Sequence, residues 1–208
     1  MRYQNKEVAG TLFFVAVVQF ILGLAISEAL YSGYSLSGNY VSDLGIGPSA
    51  IVFNSSVFLL GLLLAIGTYF MRHLSDFKML NIFLFLMALG AMGVGVFTED
   101  FTIAHAAVAL MAFFFGGLSA IESAKVLKKP FSVVSIGLGA MTIGALVLYS
   151  SGIITSGSLN SHVAYDSNFY LGLGPGGMER MVIYPALVWL AGFGGYLSTI
   201  KNENDPRK

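Results

Sequence analysis

Six apolar stretches, at about 8–30, 49–70, 78–98, 104–124, 131–153 and 177–199, govern what this chain can become. Each approaches the ~20 residues that a helix needs to cross a hydrocarbon core of ~30 Å. Backbone N–H and C=O groups must find partners within lipid, which leaves helices or a closed barrel. A barrel would show segments of ~10 residues with alternating polarity, and these runs are continuously apolar. Composition agrees: of 208 residues, 56% are hydrophobic and 11% charged, against roughly 25% charged in a soluble domain. The expected fold is an all-α membrane protein, a single six-transmembrane-helix bundle over residues 1–208. The first stretch is too long for the apolar region of a signal peptide, and Ser27-Glu28-Ala29 lacks a small-x-small cleavage pattern.

Lysine and arginine set the expected orientation. With six crossings, ten of the eleven fall at one face: Arg2, Lys6, Arg72, Lys78, Lys125, Lys128, Lys129, Lys201, Arg207 and Lys208. The positive-inside rule assigns that face, and both termini, to the cytoplasm, making this a multi-pass protein of the cell membrane. Arg180 alone lies opposite. The outer face then has two long loops, about 31–48 and 154–176, and a tight turn near Thr98–Ile103.

The two long loops are alike. Tyr31-Ser32-Gly33 precedes Leu44-Gly45-Ile46-Gly47-Pro48, and Tyr149-Ser150-Ser151-Gly152 precedes Leu171-Gly172-Leu173-Gly174-Pro175. The local reading is turn chemistry, with glycine for the bend and proline in the first turn of the next helix. The alternative is an internal repeat of the kind found in transporters. Small residues at Gly23 and Ser27, and at Ala140 and Gly144, have the spacing of close helix contacts.

Ionisable groups near a membrane need partners. Six of the eleven acids belong to the outer half: Glu28, Asp43, Glu99, Asp100, Asp166 and Glu179, with His105, His162 and Arg180. Three outer loops cap one end of a six-helix bundle, so these groups can converge. Each also has a plain structural role open to it. Asp43 can close an Asx-turn, Asp100 can cap helix four with Glu99 favoured by the dipole, and Asp166 can simply be solvated. Glu179-Arg180 is sharper, because the helix dipole favours the acid and disfavours the arginine. Arg180 therefore calls for a dedicated partner: Asp43, Glu28, an acid of the Glu99/Asp100 turn, or an anionic ligand group. Adjacent helical residues point ~100° apart, so the two need not serve the same neighbour. His105 reads as a structural histidine, or as a base or pH sensor beside Glu99 or Asp100.

Other chemistries find no footing. There are no cysteines, which removes disulfides, thiolate metal sites and covalent haem attachment. His105 and His162 share no ligand spacing, so no metal or cofactor is expected. A net charge of zero gives no basis for nucleic-acid binding. Asn54 and Gln19 read as interhelical hydrogen bonders, and Glu122 as a helical partner of Lys125.

The order of these motifs resembles an uncharacterised family of six-helix membrane proteins of archaea and bacteria. It is carried by Val41-Ser42-Asp43-Leu44-Gly45, Phe53-Asn54, Phe97-Thr98-Glu99-Asp100 with His105, and Glu179-Arg180. Thr98 stands where the family usually has proline, so a differently built turn is expected there. The layout is also loosely similar to six-helix eukaryotic families linked to lipid-anchor remodelling and autophagy, a likeness of fold that transfers no activity. The resemblance implies that Asp43, Glu99, Asp100, His105, Glu179 and Arg180 form one group.

Three functional classes follow. The first is binding, with or without processing, of a lipid headgroup or small ligand at the outer helix ends. The second is a non-catalytic subunit with a protein partner in the membrane. The third is a small transporter, for which the mid-membrane charge of an ion path is missing. Membrane lipids are expected partners in every case.

Overall fold

The computed structural model describes the backbone of residues 2–157 and 167–199, and the side chains of all of these but 2–4 and 75. His162, Asp166, Lys201, Arg207 and Lys208 lie outside the described residues, as does the side chain of Arg2. The middle of the second long loop lies outside them too.

Within them the regular structure is entirely helical: α1 Arg2–Leu30, α2 Ala50–Met71, α3 Lys78–Val96, α4 Thr102–Ser123, α5 Phe131–Ser156 and α6 Gly174–Thr199. Short 3-10 turns occupy Ser42–Gly45, Gly47–Ser49, Ser75–Phe77, Glu99–Phe101 and Asn168–Tyr170. All six helices are long and apolar enough to cross a membrane. This is a six-helix integral membrane bundle.

Helix ends depart from the apolar stretches where hydropathy is blind to backbone geometry. α1 starts at Arg2 because Gln4, Lys6 and Glu7 are good helix formers needing no apolar surroundings. α5 continues to Ser156 and stops where Gly157 turns left-handed, at φ 66°. α6 begins at Gly174, so the Gly-Pro-Gly-Gly run forms its first turn instead of leading into it. Gly47 and Gly174 both have φ +74°, and each is followed by a proline at a helix start. That shared bend is the turn chemistry expected of glycine followed by proline at a helix start.

Each helix packs chiefly on its neighbours in sequence, and α6 returns to α1, closing a ring. Backbones meet where side chains are absent. A Cβ at Gly10 would lie 2.5 Å from the Gly194 carbonyl oxygen, and one at Gly139 would lie 2.6 Å from that of Gly117. Gly23 faces Ser56 of α2, whereas a Cβ at Gly144 would meet nothing within 4 Å. In α5 the close contact therefore falls at Gly139. With lipid outside as apolar as the core, such van der Waals fit carries much of the association.

The aromatic centre is built by α6. Trp189 stacks on Phe193 at 5.4 Å between centroids, and Phe193 on Phe13 at 6.2 Å. The Trp189 indole donates to Ser123 Oγ at 2.9 Å, which satisfies its one polar atom in a buried site. Gln19 joins α1 to the Ser56 carbonyl of α2 at 3.0 Å. Asn54 donates to the Gly45 carbonyl at 2.9 Å, so it ties α2 to the loop between α1 and α2 and not to another helix. Glu122 and Lys125 form the helical ion pair at 2.7 Å.

Burial along α4 is one-sided. Its buried residues are Gly116, Gly117, Ser119, Ala120 and Ser123, all in the half away from Asp100.

Candidate functional site

Glycine lets the loop between α1 and α2 lie directly on α6. A Cβ at Gly176 would stand 1.8 Å from the Asn39 carbonyl oxygen, and the Gly176 N–H donates to the Ser37 carbonyl at 3.0 Å. Arg180, one turn on, completes the attachment. It pairs with Glu28 of α1 at 2.7 Å and donates to Tyr34 Oη at 2.9 Å, the Leu36 carbonyl at 2.8 Å and the Gly176 carbonyl at 3.1 Å. A planar guanidinium supplies several donors at fixed angles, which suits it to gather partners from α1, the loop and its own helix.

Glu179 faces the other way and is 3% exposed. Its carboxylate accepts from the Val41 N–H at 2.5 Å and also interacts with the Ser42 N–H. These N–H groups begin the 3-10 turn Ser42–Gly45 and have no partner within it, so the acid caps them. Ser42 then links elements: its hydroxyl donates to Glu99, in the turn between α3 and α4. The Glu99 side chain also lies against that of Asp43. Asp43 accepts from the Tyr40 N–H at 3.0 Å and from Asn39 Nδ2 at 2.9 Å, which folds the loop back on itself.

Tyrosines form the next layer. Tyr40 packs edge-on against Tyr149 of α5 at 5.6 Å between centroids, and its hydroxyl lies 3.5 Å from that of Tyr170. Gly152 makes room for the Tyr170 ring. Burial pushes the phenols of Tyr34, Tyr40 and Tyr170 above their ordinary values, so all three stay neutral donors.

His105 bonds the Phe97 carbonyl through Nδ1 at 2.7 Å. A carbonyl can only accept, so Nδ1 carries the proton and a neutral ring leaves Nε2 as an acceptor. Among the described residues Nε2 has no hydrogen-bond partner.

These groups surround a cavity of about 670 Å³, within the ~300–1,000 Å³ typical of small-molecule sites. Its polar end holds Ser42, Asp43, Glu99, Asp100, His105 and Glu179. Its apolar wall is Leu110 and Phe113 from α4 with Leu146, Ile153 and Ile154 from α5. Ser42, His105 and Glu179 also border a smaller cavity of about 70 Å³ toward the bundle centre, lined mainly by apolar residues such as Phe20, Val57 and Met87.

The sequence-derived group is thus brought together in part. Asp43, Glu99, Asp100, His105 and Glu179 line one cavity; Arg180 is turned from it and engaged with Glu28. Asp100 does not cap α4. Phe101 holds the cap position, with no side-chain cap bond, and Asp100 makes only a long 3.5 Å contact with Thr98. Thr98 begins the 3-10 turn in an extended conformation. Ser42 proves to be the hub, and Tyr40 and Tyr149 are further wall residues, with Tyr170 packed against both, that periodicity does not disclose. The available hint for them was Gly152, a helical glycine opposite a tyrosine-bearing loop. Among the described residues no three His, Asp or Glu side chains are placed to hold a metal ion.

A family model described as "Protein of unknown function (DUF998)" matches residues 14–196, so the chain belongs to that family. No curated protein and no solved structure matches it.

Proposed function

We propose that this member of the DUF998 family uses the outer cavity to bind a ligand rich in hydrogen-bond donors, a polyol or an amine, of the kind borne by lipid headgroups. The supporting observation is that the cavity's polar end is rich in acceptors: four carboxyl side chains and the open Nε2 of His105 line it, and among the described residues no lysine or arginine does. An anionic group placed there would meet like charges in a medium of low dielectric. A hydroxyl or ammonium would donate to the open Nε2 of His105 and to further lone pairs of the carboxylates, at about twice the strength where one partner is charged. Arg180, the cation that suggested an anionic ligand from sequence, is consumed by Glu28.

The same reading puts the cavity outside the cytoplasm. Lys6 starts α1, Arg72 follows α2, Lys78 starts α3, and Lys125, Lys128 and Lys129 join α4 to α5, all at the end opposite the cavity. The close contact of Gly117 with Gly139 below the cavity favours binding over transport.

The test uses the full chain in nanodiscs carrying a glucosyl diacylglycerol, an alkylammonium lipid or phosphatidylglycerol, with retained lipid read by native mass spectrometry. The first or second should be retained over phosphatidylglycerol, and Asp100→Asn with His105→Ala should cut that preference about tenfold. Equal retention of all three would overturn the reading.

A further inference from the structure

We infer that the cavity takes its ligand sideways from the bilayer, the acyl chain of an outer-leaflet lipid lying in a gap between the outer halves of α4 and α5. This rests on the ligand class proposed above and adds the molecule's second half and its route.

Two helical stripes face each other across the gap. From α4 come Thr102, His105, Ala106, Ala109, Leu110 and Phe113; from α5 come Leu146, Tyr149, Ser150, Ile153 and Ile154. Both sets step by three and four residues, the spacing of one helix face. Such faces ordinarily pack together, and lower down they do, where a Cβ at Gly139 would lie 2.6 Å from the Gly117 carbonyl oxygen. Above that contact α4 keeps to α3: a Cβ at Gly90 would be 2.5 Å from the Ala112 nitrogen, and one at Gly93 would be 2.6 Å from Val108. The helix leans on one neighbour and parts from the other, so the opening is a wedge with its point at Gly117.

Depth decides what fills the wedge. From Thr102 to Phe113 the cavity follows α4 for about 16 Å at ~1.5 Å per residue. The headgroup layer on one side of a bilayer is only roughly 5–8 Å thick. The lower part therefore lies at hydrocarbon depth, and its lining changes accordingly from carboxylates to Leu110, Phe113 and Leu146. Leu110 and Ile154 line the cavity while remaining 53% and 77% exposed, so the wall is continuous with the lipid-facing surface. A water-soluble ligand would leave this apolar half unused; an acyl chain fills it and joins the surrounding lipid.

The absence of cysteine allows a direct test. A Leu110→Cys/Ile154→Cys chain in nanodiscs is given a diazirine-tailed glucosyl diacylglycerol, alkylammonium lipid or phosphatidylglycerol. It is photolysed with and without a bifunctional thiol reagent bridging the gap, the unbridged protein serving as the folding control. Labelling by a polyol or amine lipid should map to the α4 and α5 stripes and fall at least fivefold on bridging. Ala106→Trp, which narrows the gap without a crosslink, should act in the same direction. Labelling that ignores bridge and tryptophan yet discriminates headgroups overturns the side route and leaves the ligand class standing. Labelling sensitive to the bridge but blind to the headgroup supports the route and overturns the class. Labelling indifferent to both overturns both.

Discussion

Glu179 and Arg180 are neighbours in the chain and opposites in the fold. The acid caps Val41 on the cavity side, and the arginine holds Glu28, Tyr34 and Leu36 on the other. One helical step of ~100° separates the two directions. Both attach the loop between α1 and α2 to α6: one presents Ser42 and Asp43 to the cavity, and the other keeps the loop's early half in place.

Arg180→Ala should therefore act on stability rather than on ligand preference. Removing one partner of a buried pair costs ~3–5 kcal/mol. The Glu28 side chain keeps 25% exposure, so about 2–3 kcal/mol is the expectation here. Arg180→Ala combined with Glu28→Gln should recover part of it. Unfolding of the four chains in detergent measures the coupling, and strictly additive losses would show the pair to be energetically idle.

Two glycines five residues apart in α5 should respond in opposite directions. Gly139→Ala puts a methyl against the Gly117 carbonyl, and overpacking of this sort costs ~1–3 kcal/mol. Gly144→Ala meets open space and should gain ~0.5–1 kcal/mol from helix propensity. Paired thermal melts decide it; equal shifts would place the α4–α5 contact elsewhere.

Ser123→Ala leaves the Trp189 indole N–H without its acceptor in a fully buried site. An unsatisfied buried donor costs ~1–3 kcal/mol. Trp189 is the only tryptophan, so its emission reports the change directly. Ser123→Thr, which keeps a hydroxyl, should preserve the wild-type spectrum and most of the stability.

Single cysteines give the orientation. Lys125→Cys, between α4 and α5, should react with a membrane-impermeant maleimide only after cells are opened. Ile103→Cys, 84% exposed beside the cavity, should react in intact cells. The reverse pattern would invert the bundle.

Much of this was legible in the residue order, and the limits have particular causes. The six helices follow from apolar length, because lipid leaves an unpaired backbone no alternative. The gathering of Asp43, Glu99 and Glu179 could be anticipated only as far as three loops capping one end. Asp100 was misjudged as a helix cap because a 3-10 turn intervenes at Glu99–Phe101 and shifts the cap to Phe101. Arg180 reads in sequence as a member of the same group because a residue pair carries no sign of which way each member faces until α1 and the loop are packed around it.

Hydropathy by itself determined that this chain is six membrane helices, since the cost of unpaired backbone in hydrocarbon is large and local. Tertiary structure alone decided that Asp43, Glu99, Asp100 and Glu179 share a cavity without Arg180, and that α4 leans on α3 and leaves α5 ajar. Those outcomes depend on where Gly90, Gly93, Gly117 and Gly139 let backbones touch. A glycine's consequence is set by the residue opposite it, and the linear order does not say which residue that is.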